Sequence, residues 1–271
     1  MPTDGPMRVR VHGATGPTVI VLHGGPAGVG SAGPIAAGLA HAFHVLEPWQ
    51  RGSGDEPLTV ARYVTDLDEV VRTSGADPPA LVGESWGAML ALAYAADHPD
   101  RAGPIVLVGC GTFDPVARQR LHDTIAARID DDRRRRLDRL DAEIDDPARR
   151  LMARYDLIRP LYDYDVVEPP PDPEADAEPF DERAHRETWQ DMLRCQSAGL
   201  YPTAFTAITS PVLMLHGDHD PHPGRLIRDS LCPFIPHLKY HELRRCGHRP
   251  WLERCARAEF FAILRRFLLG H

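Results

Sequence analysis

Three polar side chains stand in settings from which they could act together. Ser85 lies in Gly83-Glu84-Ser85-Trp86-Gly87, a G-x-S-x-G pattern; Asp220 lies in Gly217-Asp218-His219-Asp220-Pro221; His248 lies in Cys246-Gly247-His248-Arg249-Pro250. A serine hydroxyl is a weak nucleophile until a base takes its proton. An imidazole serves as that base when a carboxylate fixes its tautomer and stabilises its cation. The order Ser85, Asp220, His248 suits nucleophile, acid and base in acyl transfer. Asp218 competes with Asp220 for the acid's place, and Ser85 could instead simply cap the helix that follows it. The tetrahedral intermediate of such a reaction needs fixed N–H donors. The backbone of Trp86, next to the serine, is one candidate. Gly25, in the tight turn His23-Gly24-Gly25-Pro26, is the other.

The elements around these residues read as an alternation. Thr18–Leu22, Phe43–Glu47, Ala80–Val82, Ile105–Val108, Pro211–Leu215 and Lys239–Leu243 are short apolar runs that predict strands. Val60–Ser74 has its apolar residues at helical spacing, Ala88–Ala96 is apolar nearly all round, and Leu252–Leu269 reads as a closing amphipathic helix. Strands alternating with helices predict an α/β fold with a mostly parallel central sheet flanked by helices. Ser85, Asp220 and His248 would then all follow strand ends, where open α/β sheets place their sites.

Residues 115–200 break the rhythm. They show no strand alternation and carry 15 Arg against 21 Asp or Glu, most of the acidic surplus of the chain. Arg128–Arg154 holds nine Arg and eight acids, a pattern of solvent-facing helices. Glu168–Glu182 is acidic and proline-rich, which predicts an extended or partly disordered loop. The segment is expected to be a helical insertion, a cap of residues 115–200 on a core made of 1–114 and 201–271.

The 271 residues include 43% hydrophobic and 26% charged, enough for a core that needs no metal or disulfide. Net charge −8 argues against a nucleic-acid partner. The basic residues are lopsided: of 31, only Lys239 is lysine. The longest apolar run, Ala88–Ala96, is far below the roughly 20 residues of a membrane span, and Met1–Arg10 has no signal-peptide core. A cytoplasmic protein with no membrane partner is expected. Five cysteines without a C-x-x-C pair predict isolated buried thiols rather than a disulfide framework or zinc ribbon. His216, His219 and His222 form H-x-x-H-x-x-H, but Gly217 and Pro221 work against a helix that would align them, so no metal is expected; acyl transfer by a serine, acid and base needs no cofactor, and none is expected.

These motifs resemble the α/β-hydrolase fold, and more narrowly the proline iminopeptidase group. His23-Gly24-Gly25-Pro26-Ala27 is similar to that group's H-G-G-P-G, and Gln50-Arg51-Gly52-Ser53-Gly54 to its D-Q-R-G-x-G-x-S. Gly83 to Gly87 matches G-x-S-W-G, Gly217 to Asp220 matches G-x-x-D, and Gly247-His248 matches G-H. The resemblance implies Ser85 as nucleophile, His248 as base, Asp220 as its partner, and an inserted helical cap over the site. In that group, cap carboxylates hold the free amine of the substrate; no acid of this cap matches such a position. Ala27 replaces the group's last glycine, Trp49 its Asp and Glu56 its Ser. The expected activity is hydrolysis of an ester or amide through an acyl-enzyme, with a small-molecule or short-peptide substrate. An iminopeptidase-like aminopeptidase, a carboxylesterase or lactonase acting on small esters, a non-catalytic binding homologue, and a cofactor-free lyase or acyltransferase on the same fold are the readings open at this level.

Overall fold

The computed structural model describes residues 7–76, 78–176 and 178–271. The chain runs β1 (Val9–His12), β2 (Thr18–Leu22), α1 (Gly33–Leu39), β3 (His44–Pro48), α2 (Val60–Thr73), β4 (Ala80–Glu84), α3 (Trp86–Asp97) and β5 (Ile105–Val108). Then come α4 (Pro115–Arg128), α5 (Asp131–Glu143), α6 (Pro147–Ile158) and α7 (Glu182–Ser197), before β6 (Val212–Gly217), α8 (Gly224–Leu231), β7 (Lys239–Leu243) and α9 (Arg257–Leu269).

The seven strands pair in the order β1-β3-β2-β4-β5-β6-β7. All pairs are parallel except β1 with β3, where Val9 faces Pro48 and His12 faces Val45. Strand alternation divides the core. Val19, Val21, Val82, Val106 and Val108 face α1 and α9 through Ile35, Leu39, Phe260 and Leu264. Ile20, Leu22, Leu81, Ile105 and Leu107 face α2 and α3 on the other side. From β2 the chain steps outward to β3 and then returns to β4 on the opposite side. The crevice beyond the carboxyl ends of β2 and β4 is therefore the switch point where such sheets bind ligands.

Six expected strands are present with shifts of up to two residues at their ends. Three elements had no sequence signal. β1 alternates over only four residues at the sheet edge, α1 is built of Gly, Ala and Pro with one apolar turn, and α8 is eight residues long. The closing helix begins at Arg257, five residues later than expected, because Glu253 turns inward. Its carboxylate accepts the backbone N–H groups of Tyr164 at 2.8 Å, Asp165 at 2.7 Å and Gly247 at 2.7 Å.

The segment between β5 and β6 is helical, as expected, and α5 buries only Leu140. Part of its acidity is capping. Asp114, Asp130, Asp146 and Asp181 each accept the N–H three residues on and so open α4, α5, α6 and α7. The described residues of 168–181 form a loop, with a turn at 173–176, lashed to β1 and to Arg8 just before it. Arg10 pairs with Asp172 at 2.5 Å, and Arg8 with Glu174 at 2.9 Å. The thiol expectation needs correction: Cys110, Cys195 and Cys246 are buried and free, but Cys232 is half-buried and Cys255 exposed. No helix among the described residues is long and apolar enough to cross a membrane.

Candidate active site

Ser85 sits between the last residue of β4 and the first of α3, with φ 51° and ψ −113°. A non-glycine residue at positive φ is strained, and surrounding packing must hold it there. Here α3 supplies that packing, since Trp86 through Ala95 are all buried. The turn is tight because Gly87 lets α3 come close to β2; a Cβ at Gly87 would stand 2.3 Å from the Leu22 carbonyl oxygen. The Ser85 N–H donates to the Val108 carbonyl at 2.8 Å, which fixes the elbow to the end of β5.

His248 lies over the same strand end. A Cβ on Gly109 would come within 2.9 Å of its ring. His248 Nδ1 donates to Asp220 Oδ2 at 2.6 Å. An ionised carboxylate only accepts, so the neutral ring keeps its proton on Nδ1 and leaves the Nε2 lone pair free. Asp218, the rival acid, instead accepts the Cys246 N–H at 3.1 Å and holds the loop that carries His248.

Asp220 is more fully surrounded than a pairing with one histidine requires. Oδ2 also lies 3.1 Å from His216 Nε2, whose N–H goes to the His222 carbonyl at 3.0 Å, while Oδ1 takes both the backbone N–H of His222 at 2.9 Å and its Nδ1 at 3.1 Å. Burial alone would raise the Asp220 pKa, but His248, His216 and His222 hold it well below the ordinary carboxylate value. Burial likewise works to lower the His248 pKa, yet the charge and hydrogen bond of Asp220 outweigh it and raise the pKa above the usual imidazole value. For His222 burial prevails and the pKa falls. The His222 ring stacks on His248 at 4.7 Å, and Tyr162 meets both rings, edge-on to His248 at 5.5 Å.

The turn after β2 faces the elbow. His23 is fully buried. Its Nε2 accepts the Gln50 N–H at 3.1 Å and its Nδ1 donates to the Gly24 carbonyl at 2.9 Å, a fixed neutral tautomer. Burial lowers its pKa to about 4. Gln50 Nε2 returns a bond to the His23 carbonyl at 2.9 Å, and Gln50 Oε1 accepts the Trp86 indole N–H at 2.7 Å. Three motifs that look separate in the chain are thus one hydrogen-bonded frame. Gly25, with φ 119°, is exposed at the tip of this turn. Among the described residues, no intramolecular acceptor takes the N–H of Gly25 or Trp86.

The profile described as alpha/beta hydrolase fold matches residues 17–254. The chain belongs to the alpha/beta hydrolase fold family. Proline iminopeptidase of Neisseria gonorrhoeae is 38% identical over 103 residues, covering 35% of this chain and 33% of that protein. The putative carbamate hydrolase RutD of Caulobacter sp. is 31% identical over 131 residues, covering 41% of this chain and 48% of that protein. The chain thus matches less than half the length of either relative. Among solved structures, VinJ superposes with TM-score 0.72 at 22% identity, covering 98% of this chain and 96% of that one. Proline iminopeptidase of Mycobacterium smegmatis does so with TM-score 0.69 at 22% identity, covering 97% and 94%. These structural likenesses support the fold alone.

In this alpha/beta hydrolase the three histidines of H-x-x-H-x-x-H do not behave as a set. His216 and His222 converge on Asp220 through the loop after β6, without the helix their spacing would need, while His219 packs edge-on against Tyr164 at 5.4 Å. Asp220, His222 and His248 each offer one donor atom within 4.8 Å of the others, and these are the groups already joined by hydrogen bonds. Other residues around the site carried no sequence signal. Glu84 fills the unconstrained position of G-x-S-x-G. Asp163 pairs with Arg249 at 2.6 Å, and Arg128 of α4 donates to the carbonyls of Leu161 at 2.6 Å and His219 at 2.8 Å. The departures from the iminopeptidase pattern are also visible. Ala27 keeps a left-handed φ of 69°, and Trp49 is buried beneath the guanidinium of Arg8 at 3.9 Å.

Proposed function

We propose that this alpha/beta hydrolase is a serine hydrolase that cleaves an ester or amide through an acyl-enzyme. Ser85 attacks the carbonyl carbon while Nε2 of His248 takes its proton. The oxyanion is received by the N–H groups of Gly25 and Trp86. The imidazolium, stabilised by Asp220, returns its proton to the leaving group, and His248 then activates the water that hydrolyses the acyl-enzyme. The observation that carries this reading is the 2.6 Å His248–Asp220 pair beside a serine on a strained strand-to-helix turn. Residues 115–200 form the cap, and 1–114 with 201–271 the core. The partner is a small-molecule or short-peptide substrate in the cytoplasm, with no metal or cofactor in the reaction.

For the substrate, the local similarity to proline iminopeptidases favours a small amide with a free amine. A specific observation favours a small ester instead: acids of the cap that face the core are already engaged. Asp181 accepts the Ser53 N–H at 2.7 Å, Glu187 the Leu58 N–H at 3.0 Å and Asp191 the Val60 N–H at 2.8 Å. Paired turnover of prolyl arylamides and short-chain aryl esters decides between them; fast esters with inert amides remove the aminopeptidase reading. Labelling by a fluorophosphonate, abolished in Ser85→Ala, tests the nucleophile. Folded wild-type protein that stays unlabelled and inert on both substrate classes would make this chain a binding homologue.

A further inference from the structure

We propose that Glu84 is a positioning residue whose carboxylate clamps the Gly24–Ser31 turn and so sets the Gly25 oxyanion donor relative to Ser85. The inference rests on the hydrolase reading above. Glu84 is 5% exposed and ends β4, one residue before the nucleophile. Its Oε1 accepts the Gly24 N–H at 2.9 Å and the Ser31 hydroxyl. Among the described residues no cation lies within ion-pair distance of it: its hydrogen-bond donors are one N–H and one O–H, and its charge acts on His248 only from further off, helping to raise that pKa. A buried carboxylate without a cation is a poor stability device; its value lies in what it holds.

What it holds is the turn that faces the elbow. The turn closes on itself through Gly28 N–H to the Gly24 carbonyl at 3.1 Å and Ser31 N–H to the Gly28 carbonyl at 3.0 Å. Its far side is tied to α7 by His185 Nδ1 on the Pro26 carbonyl at 3.0 Å. None of these three contacts connects it to the elbow, and the His23–Gln50–Trp86 frame anchors only the start of the turn. Glu84 makes that connection, because its backbone precedes Ser85 while its side chain grips both ends of the turn. An oxyanion donor acts only where it is aimed before charge develops, and this carboxylate couples the aim of one donor to the residue that forms the new bond.

The test compares Glu84→Ala, Glu84→Gln and Ser31→Ala on an aryl ester, together with amide exchange of the peptide covering 23–31. Full loss of an oxyanion donor costs about 10²–10³ in kcat, so misplacing one through Glu84→Ala is expected to cost about 10–100-fold with KM nearly unchanged. Glu84→Gln keeps an acceptor at Oε1 and is expected to recover most of that loss. Amide exchange across 23–31 should quicken in Glu84→Ala and return toward wild type in Glu84→Gln. An unchanged kcat in Glu84→Ala overturns the proposal, as does a Glu84→Gln enzyme as slow as the alanine variant. If Glu84→Ala does not fold, Ser31→Ala on the exposed side of the turn carries the test, and unchanged kcat and exchange there overturn the clamp. If the wild type turns over no ester or amide, the hydrolase reading falls and exchange alone decides. Faster exchange in the alanine variant supports the clamp, and equal exchange rejects it.

Discussion

Both oxygens of Asp220 accept hydrogen bonds, from His248 and His222, and His216 stands 3.1 Å away. Such a carboxylate stays ionised, and that anion keeps the His248 pKa above its ordinary 6.5 despite burial. As the proposed base, His248 works only when neutral, so kcat/KM is expected to rise with pH through a pKa above 6.5. Asp220→Asn removes the larger raising charge and leaves burial opposed only by the smaller pull of Glu84. The acid limb should then move to lower pH, while turnover falls by about 10⁴-fold as the imidazole loses its orienting anion. A pH–rate profile of both proteins on an aryl ester checks this; an unmoved limb would assign the raised pKa to another group. Stability follows a different window. The raised His248 stabilises the fold below 6.5 and loses that contribution as pH climbs through its folded pKa. The lowered Asp220 contributes above 3.8 and loses it as pH falls through its own folded pKa. The pair therefore stabilises most at a pH below that of best turnover. Ser85, Asp220 and His248 were legible because each sits in a short motif with turn residues at fixed offsets. The choice of Asp220 over Asp218 by geometry, and the arrival of His216 and His222, were not. They depend on how one loop folds back on itself, and spacing along the chain does not encode that.

At the scale of elements, the elbow depends on how closely α3 approaches β2. Gly87→Ala would place a methyl 2.3 Å from the Leu22 carbonyl oxygen, and backbone cannot yield as a side chain can. Overpacking of this kind costs about 1–3 kcal/mol. A lower urea midpoint together with loss of fluorophosphonate labelling is the expected result; an unaltered midpoint would mean α3 can shift. Ala27 offers the opposite case. It holds φ 69° where the resembling group has glycine, so Ala27→Gly should stabilise the turn by about 1 kcal/mol, read as a higher urea midpoint. No gain there would show the turn tolerating a Cβ at that φ without cost. Element recognition from the sequence worked where periodicity was sustained. The buried strands and the amphipathic α2, whose Val60, Val64, Leu67, Val70 and Val71 are all buried, were read correctly. It failed for β1 and α1, which are too short or too uniform in composition to show a period. The four Asp caps were present in the sequence, two of them as Asp-Pro at 114–115 and 146–147, but blended into a generally acidic background.

Across the whole molecule the acidic surplus of residues 115–200 takes on a structural meaning. Asp172 and Glu174 of the proline-rich loop meet Arg10 on the edge strand and Arg8 just before it, and β1 is the strand furthest from the site. The two arginines sit in different environments. Arg8 and Glu174 are 48% and 57% exposed, so screening should leave that pair worth at most about 1 kcal/mol. Arg10 is 15% exposed and also holds Glu47, whose side chain is fully buried, at 2.8 Å. Removing Arg10 would leave Glu47 with His12 as its remaining side-chain hydrogen-bond partner, at 2.8 Å. An uncompensated buried charge costs about 3–5 kcal/mol. Arg10→Met is therefore expected to lower the urea midpoint strongly, to expose 168–182 to limited proteolysis, and to do both at low and high salt alike. Arg8→Ala should cost less, losing the exposed ion pair and the cover over Trp49, and only the ion-pair part of that loss should vanish at high salt. Because the loop leads directly into α7 through Asp181, its release should also loosen α7 from Ser53, Leu58 and Val60. Equal effects from the two variants would mean that the loop is held by its surface charges alone and that Glu47 finds another partner.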